Sequence, residues 1–146
     1  MLCRTDGHPC RSCRLIRGLH PLISWVQAGD WSEIAESYVP EYGSELYPCP
    51  ISCSEETFVL RVHGVSMEPK FHEGDLIFVD SNAIPLHGKY IVVQIVEPNE
   101  ATFTQLIIEG DKKYLKALNP DWPRRIIEVD TAATICGVVV FKGEEV

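Results

Sequence analysis

The chain has 146 residues, of which 45% are hydrophobic and 23% charged, values typical of a globular protein with one hydrophobic core. It contains no run of about 20 apolar residues, which excludes a membrane-spanning helix. Residues 1–20 have four arginines and no apolar stretch, which excludes a secretory signal. The formal charge of −8 argues against nucleic-acid binding by this chain alone, because phosphate binding needs a basic surface. We therefore expect a cytoplasmic protein that contacts no membrane.

The charge is unevenly distributed along the chain. Residues 1–20 contain four arginines and one aspartate, a net charge of +3, which leaves −11 for the remaining residues. This change near Pro21 predicts a flexible basic tail over 1–20, followed by the folded body. Gly7, Pro9 and Gly18 interrupt the tail, so we predict no helix-turn-helix within it.

Three of the six cysteines lie in the tail. Cys3, Cys10 and Cys13 have C-x6-C-x2-C spacing, and His8 and His20 are close in sequence, so this segment could bind zinc. Zinc modules of this kind usually contain a second pair of ligands at a fixed distance, and no such pair follows here. We therefore expect reduced thiols in the tail, with no metal and no other cofactor.

The body has the pattern of β-strands separated by turns. β-Branched and aromatic residues in short runs, bounded by Gly, Pro, Asn and Asp, are typical of strands. No long amphipathic helix is predicted. The sequence therefore predicts a mostly β fold with strong curvature. Strands are predicted at 57–63, 76–80, 89–97, 101–108, 125–130 and 134–142, with KKYLKAL at 112–118 between two turns.

The sequence VHGVSMEPKFHEGDLIFVD at 62–80 contains the densest local signal. A strand leads to Gly64, Ser66-Met67 follows at its end, and Glu68-Pro69 redirects the backbone. A serine in such a turn can expose its hydroxyl while backbone N–H groups point toward the same space, as an acyl-transfer nucleophile requires. The pattern differs from the G-x-S-x-G elbow of α/β-hydrolases, because residue 68 is Glu.

The longer pattern resembles the S24 peptidase family, which includes the self-cleaving domains of LexA-type and phage repressors and the UmuD proteins. The family pattern is approximately V-x-G-x-S-M, a spacer, and G-D followed by a strand ending in V-D. Two further segments, EATFTQL at 100–106 and YLKALNPDWP at 114–123, resemble the phage-repressor branch. The resemblance implies a mostly β, curved and partly barrel-like fold of the LexA and signal-peptidase type. The matching residues are Val62, Gly64, Ser66, Met67, Gly74, Asp75, Val79 and Asp80.

The resemblance also assigns roles to individual residues. Ser66 would be the nucleophile, and the backbone N–H groups of Ser66 and Met67 would bind the oxyanion. PLISWVQAGDW at 21–31 is similar to the family's cleavage segment, which places the scissile bond between Ala28 and Gly29. The chain would then divide into the tail at 1–20, a cleavage-site segment and linker at 21–48, and an S24 peptidase-like domain at 49–146. Trp25 and Trp31 flank the scissile bond and either anchor this segment or belong to the core.

The family's general base is a lysine within a T-F-K-x-L pattern, and this chain has Thr104 at that position. A buried lysine can act as a base when its pKa falls, whereas a threonine hydroxyl cannot hold the serine proton. His63 is an alternative base, but strand alternation directs it away from Val62 and Gly64. We therefore predict cleavage machinery that is disabled. Five other lysines are expected to be solvated rather than to replace the missing base: Lys70, Lys89, Lys112, Lys113 and Lys116.

The resemblance favours the C-terminal dimerisation and self-cleavage domain of a phage-type repressor in the SOS response. It implies a homodimer, a RecA filament that stimulates cleavage, and DNA contact only through an N-terminal helix-turn-helix domain that is missing from this sequence. An alternative is a UmuD-like accessory subunit of a translesion DNA polymerase. A third is an active peptidase related to signal peptidases, which the missing lysine and membrane anchor disfavour.

Overall fold

The structure is a computed structural model, and it describes residues 19–35, 38, 45–95, 101–129 and 133–144. Within these ranges, strands far outnumber helical residues, which confirms the predicted mostly β fold. Both helices are shorter than two turns. The elements are β1 (Leu19–Pro21), α1 (Trp25–Gly29), α2 (Trp31–Ile34), β2 (Leu46–Pro48), β3 (Thr57–Arg61), β4 (Leu76–Asp80), β5 (Tyr90–Ile95), β6 (Ala101–Glu109), β7 (Lys112–Lys116), β8 (Ile126–Glu128) and β9 (Ala133–Gly143).

The predicted strands occur in the predicted order, with differences at their ends. The strand predicted at 57–63 ends at Arg61, and the strand predicted at 112–118 ends at Lys116. β5 ends at Ile95, and residues 96 and 97 of its prediction lie outside the described residues. The last strand extends one residue further at each end than predicted. Ends are difficult to predict because turn residues decide them locally, whereas apolar runs predict the strand itself.

Seven strands form one antiparallel sheet in the order β3-β4-β9-β5-β6-β7-β8. β9 is the third strand in this order, between β4 and β5, and its register shifts once against each neighbour. Such irregularities bend and twist a strand, which gives the sheet the predicted curvature. Gly137 lies between these two shifts. A Cβ atom there would be 2.7 Å from Val79 Cγ1 and 3.1 Å from the Asp80 carbonyl oxygen, so this close approach requires glycine.

Apolar side chains cover both faces of the sheet. One core joins the sheet to the helices and includes the fully buried Ala28 and Phe58 with Trp31. A smaller core on another part of the sheet contains Ile91 and Leu106. Burial of these side chains fixes the position of the segment that contains α1, because Ala28 and Trp31 belong to the first core.

A second, two-stranded sheet holds the beginning of the described chain. β1 pairs with β2 in antiparallel fashion, with Leu19 opposite Pro48 and Pro21 opposite Leu46. His20, on the tail side of the predicted boundary, is buried, and its Nδ1 lies 3.1 Å from the Thr57 carbonyl oxygen. Cys3, Cys10, Cys13 and His8, the other members of the considered zinc set, lie outside the described residues. In the part of the chain that can be inspected, no helix has the length and hydropathy needed to cross a bilayer.

Candidate functional site

The Ser66 turn is built by the loop between β3 and β4. Backbone hydrogen bonds join Val62 to Asp75 and Gly74 to Val62, with N–O distances of 2.8 and 2.9 Å, and they close the base of the loop. Gly64 has a φ of +80°, a conformation that favours glycine and that reverses the chain just before Ser66. At the base, the Asp75 carboxylate accepts a hydrogen bond from the His72 backbone N–H at 2.9 Å. The loop therefore has a fixed base and a turn that presents Ser66.

Ser66 lines a cavity of about 740 Å³. The other walls are residues 22–26, which lead into α1, residues 61–63 at the end of β3, and residues 101–103 at the start of β6. The cavity has apolar walls with a few polar groups, among them His63, Arg61 and Thr102. The structure thus brings the predicted nucleophile and the N-terminal half of the predicted cleavage segment to one cavity.

The backbone around Ser66 has unused donors and occupied acceptors. The carbonyl oxygens of Val65, Ser66 and Met67 all accept hydrogen bonds from within the protein. Among the described residues, the N–H groups of Ser66 and Met67 donate to no protein acceptor. Two adjacent free N–H groups beside a serine hydroxyl have the composition that an oxyanion hole requires.

Asn119 is a site residue that sequence reasoning missed. Its Nδ2 donates to the Val65 carbonyl oxygen at 2.9 Å, and its backbone N–H donates to that of Ser66 at 2.9 Å. Its own Oδ1 accepts from the Asp121 N–H at 2.9 Å, which fixes the side chain. The Asn-Pro pair in LNPDWP predicts a turn, but no local signal in the sequence indicates that this turn supports the Ser66 loop.

Thr104 lies on β6 and is buried. Its hydroxyl donates to the Lys116 carbonyl oxygen at 3.0 Å, three positions before Asn119. Thr102 and Phe103 line the Ser66 cavity, whereas Thr104 is not among the lining residues. Thr104 therefore contacts the end of β7, and Asn119, in the segment that follows β7, contacts Ser66. The assignment of Thr104 to the lysine position stays a prediction.

All six lysines of the chain lie in described residues, and none of them lines the Ser66 cavity. Lys112 pairs with Glu128, with 3.5 Å between Nζ and Oε2. Lys142 Nζ donates to the Lys70 carbonyl oxygen at 2.7 Å. Lys70 itself lies over an aromatic ring, with 5.6 Å from Nζ to the Tyr90 ring centre. These positions leave no amine beside the serine hydroxyl.

The predicted scissile bond lies at the end of α1. The Ala28 N–H donates to the Ser24 carbonyl oxygen at 2.9 Å, and Ala28 has no exposed surface. A Cβ atom on Gly29 would be 2.6 Å from Gln94 Nε2, so this side chain packs directly on the glycine. Neither Ala28 nor Gly29 is among the residues that line the Ser66 cavity. The structure therefore does not bring this bond to Ser66, and the position of the scissile bond stays a prediction.

Two tryptophans attach the cleavage segment to β3. Trp25 Nε1 donates to the Arg61 carbonyl oxygen at 3.0 Å, and Trp31 Nε1 donates to that of Glu56 at 2.8 Å. Arg61 ends β3, and Glu56 precedes its first residue. The two indoles thus anchor the segment at both ends of one strand, and Trp31 also belongs to the core. The two alternatives considered for these residues, an anchor and a core role, both apply to Trp31.

β3 ends at Arg61, so the predicted strand alternation does not extend to His63. Val62 is buried and His63 is exposed, yet both line the Ser66 cavity. The His63 ring lies beside Trp25, with 6.5 Å between ring centres. Within the described residues, no hydrogen bond joins this ring to the Ser66 hydroxyl. The geometry therefore gives the serine no histidine base.

Cys136 lies close to the residues that pack around Gly29. Burial raises the pKa of its thiol to about 11, and the neighbouring Asp30 carboxylate adds to this effect. The backbone of Gln94 acts in the opposite direction through a hydrogen bond. Because the thiolate is the nucleophilic form, this shift makes Cys136 a weaker nucleophile at neutral pH than an ordinary thiol.

Comparison with known proteins agrees with this geometry. Residues 21–140 match the family model described as Peptidase S24-like. The prophage repressor CohE of Escherichia coli (strain K12) is 44% identical over 126 residues, covering 86% of this chain and 56% of the relative. Repressor protein C2 of Salmonella phage P22 is 41% identical over 128 residues, covering 85% and 58%. The HTH-type transcriptional regulator for conjugative element R391 of Providencia rettgeri is 43% identical over 129 residues, covering 85% and 59%.

The chain spans less than two thirds of the length of these relatives, from 56% to 59%. The family match includes the Ser66 turn, the tryptophan-anchored segment and most of β9. Relatives named as repressors or transcriptional regulators are 41–44% identical over 85–86% of the chain. The chain therefore belongs to the Peptidase S24-like family.

Proposed function

We propose that this chain is the C-terminal dimerisation and self-cleavage domain of a phage-type repressor, and that its self-cleavage is disabled. Relatives named as repressors and as HTH-type regulators support the biological role. In the proposed protein, a helix-turn-helix domain binds the operator, and dimerisation lets two such domains bind two half-sites. Cleavage between Ala28 and Gly29, stimulated by a RecA filament in the SOS response, would separate these two activities.

One observation supports the disabled site most directly. Ser66 lines a cavity with two free N–H groups beside it, yet none of the six lysines lines that cavity. Thr104, at the position of the family lysine, donates its hydroxyl proton to the Lys116 carbonyl oxygen. These contacts support an acyl-transfer site that has donors for an oxyanion but lacks a lysine to accept the Ser66 proton.

The chemical consequence has a known size. Attack by Ser66 requires transfer of its proton, and loss of a general base typically lowers the rate by about 10²–10⁴. Removal of one member of a cooperating catalytic unit can lower it by about 10⁶. A threonine hydroxyl is a far weaker base than a neutral amine, so Thr104 does not compensate for this loss.

The decisive experiment restores the base. Purified parent chain and the Thr104→Lys variant are incubated at mildly alkaline pH, where a larger fraction of a lysine amine is neutral. We expect the parent to stay intact and the variant to yield two fragments, with intact masses that place the cut between Ala28 and Gly29. Cleavage of the parent at the same rate as the variant would contradict the proposal, and so would an uncut variant.

Two further variants identify the chemistry. Thr104→Met supplies a side chain of similar length without an amine, and it is expected to stay intact. Ser66→Ala in the Thr104→Lys background removes the nucleophile and is expected to abolish the cut. If the Ser66→Ala double variant is still cleaved, the activity comes from a contaminating peptidase and Ser66 is not the nucleophile.

Dimerisation is tested separately by sedimentation equilibrium of the parent chain. A homodimer at micromolar concentration is expected, and a monomer throughout the micromolar range would contradict this part of the proposal. The alternative UmuD-like accessory function has less support. The three relatives compared above match 85–86% of this chain, and all three are named as repressors or transcriptional regulators. Specific capture of a translesion polymerase by the purified chain would favour the alternative.

A further inference from the structure

Two cysteines and a buried histidine form a cluster away from the Ser66 cavity. Cys53 Sγ lies 3.5 Å from His20 Nε2, and His20 Nδ1 lies 3.1 Å from the Thr57 carbonyl oxygen. A carbonyl oxygen only accepts, so Nδ1 carries the ring hydrogen and Nε2 of the neutral ring is an acceptor. The Cys53 thiol therefore donates to a nitrogen base. Cys49, four positions earlier, forms a side-chain hydrogen bond with Cys53.

The surroundings keep these three residues in place. His20 belongs to β1, which pairs with β2, and Cys49 directly follows β2. The Asp80 carboxylate is the charged group that acts on His20, and it is held by the Ser54 N–H at 3.0 Å and the Ser54 hydroxyl at 2.6 Å. Both cysteines are partly exposed, so a small solute can reach them. The cluster is therefore ordered and also accessible.

We propose that Cys49 and Cys53 are an oxidisable dithiol, in which His20 accepts the Cys53 thiol proton and low-molecular-weight disulfides convert the pair reversibly into an intrachain disulfide. Nothing in this proposal depends on the repressor function. A histidine nitrogen within hydrogen-bond reach of a thiol can take up its proton as the sulfur attacks. Disulfides in intracellular proteins are usually transient and redox-sensing, which fits a site that is accessible from the surface.

The reaction has two exchange steps. In the first, His20 Nε2 takes the Cys53 proton, the Cys53 sulfur attacks the disulfide R–S–S–R, and one R–S⁻ leaves and is protonated. In the second, the Cys49 sulfur, after losing its proton, attacks the Cys53–S–S–R bond and releases the second R–S⁻. The protein loses two hydrogens and two electrons, and the small disulfide becomes two thiols.

The structure also indicates the order of the two cysteines. Burial raises the pKa of the Cys49 thiol above its ordinary value, and the neighbouring Cys53 adds to this effect. A smaller thiolate fraction makes Cys49 a slow attacking group on a free solute. Cys53, with His20 as its acceptor, is therefore the first nucleophile, and Cys49 resolves the mixed disulfide at high effective concentration.

The test uses the reduced full-length chain and glutathione disulfide. Trypsin cuts after Arg17 and Arg61 and at no site between them, so Cys49 and Cys53 fall in one peptide, 18–61, while Cys136 falls in another. After non-reducing digestion, we expect peptide 18–61 to be lighter by two hydrogens, and reduction to reverse this change. A peptide that retains glutathione on one cysteine, or that remains unmodified, would overturn the proposal.

Variants separate the roles. Cys49→Ser is expected to accumulate the mixed disulfide on Cys53, and Cys53→Ser is expected to react slowly at Cys49. Cys136→Ser is the matched control and should leave the reaction unchanged. If Cys49→Ser and Cys53→Ser form the mixed disulfide at equal rates, the assigned order is wrong.

His20 needs a readout that a purely structural role would not change. His20→Gln is expected to slow disulfide formation by about 10-fold at neutral pH, because a thiol without a base is only a few per cent thiolate there. The difference in rate between the variant and the parent should disappear above a pH of about 8.5, where solvent hydroxide ionises the thiol without help from His20. Circular dichroism establishes that the variant is folded. An equal rate at neutral pH, or a deficit that persists at high pH, would show that His20 is not the proton acceptor.

Discussion

The backbone N–H of Asn119 donates a hydrogen bond to the carbonyl oxygen of Ser66, with 2.9 Å between the two atoms. The Asn119 side chain donates in parallel to the preceding carbonyl, that of Val65. These hydrogen bonds fix the orientation of the Val65–Ser66 and Ser66–Met67 peptide units. The N–H groups of the same two units, those of Ser66 and Met67, donate to no acceptor among the described residues. In the proposed site, Asn119 would thus be a positioning residue for the N–H groups that bind the oxyanion, although it lies in a different loop.

This relationship predicts an effect of Asn119→Ala on cleavage. In the Thr104→Lys background, loss of the side-chain hydrogen bond to Val65 should slow self-cleavage by about 10–10²-fold, because misplacement of reacting groups by about 1 Å has effects of this size. The rate is measured from the appearance of the two fragments. Asp121→Ala is the control, since Asp121 contacts Asn119 only through its backbone N–H. An unchanged rate in the Asn119 variant would show that the loop is positioned by other contacts.

The two tryptophan anchors predict unequal losses of stability. Trp31→Phe removes a hydrogen bond to Glu56 and replaces a buried indole by a smaller ring, and together these should lower the free energy of unfolding by about 1–3 kcal/mol. Trp25→Phe removes a bond from a half-buried site and should cost about 0.5–1.5 kcal/mol. Urea denaturation measures both values. A larger loss for Trp25→Phe would contradict the assigned burial.

The close packing around Gly137 predicts that alanine substitutions at two glycines of β9 change stability by different amounts. Gly137→Ala places a methyl group 2.7 Å from Val79 Cγ1 and 3.1 Å from a backbone oxygen, which cannot move independently. Overpacking of this kind should lower stability by about 1–3 kcal/mol. Gly143→Ala meets nothing nearer than 3.9 Å and should stay within about 0.5 kcal/mol of the parent. Equal effects in thermal unfolding would show that β9 shifts to make room at Gly137.

The buried His20 predicts a loss of stability in mild acid. Burial lowers its pKa in the folded state below the ordinary value of 6.5, although the Thr57 carbonyl and the Asp80 carboxylate oppose this. The unfolded chain then binds the proton more tightly, so stability falls as pH decreases below 6.5 and is unaffected above it. His20→Gln should flatten this part of the profile, measured by urea denaturation at each pH.

Asp80 titrates in a lower pH range than His20, so the effects of the two groups on stability can be distinguished. Burial alone would raise the pKa of Asp80, but hydrogen bonds from Ser54 and Asn82 outweigh it and lower the pKa below the ordinary 3.8. The stability that Asp80 contributes is therefore lost only below 3.8. If His20→Gln and the parent lose stability equally between neutral pH and 5, the His20 assignment fails.

Much of the fold could be predicted because the strands have strong local signals. LIFVD at 76–80 is entirely buried, and its apolar run was predicted with the correct ends. The turn at Ser66 could be predicted in the same way, because Gly64 and the Glu68-Pro69 pair act locally. Periodicity and turn chemistry are properties of neighbouring residues, so one sequence is enough to detect them.

The remaining features depend on contacts between distant segments. The helical state of Ala28 depends on packing against the sheet, since an isolated helix of five residues is unstable in water. The support of Ser66 by Asn119 and the approach of His20 to Cys53 join residues that are far apart in sequence. His20 was included in a flexible tail because residues 1–20 together carry a net charge of +3, whereas the structure pairs its strand with β2.

The pairing of β1 with β2 affects what would happen after a cut at Ala28. β1 precedes the scissile bond, and it is held by three residue pairs with β2 and by the contact between His20 and Thr57. The severed N-terminal piece would thus remain bound to the rest of the molecule without a covalent link. Hydrolysis and dissociation of the N-terminal piece would be two successive events. The lifetime of the nicked complex would depend on how fast β1 dissociates from β2.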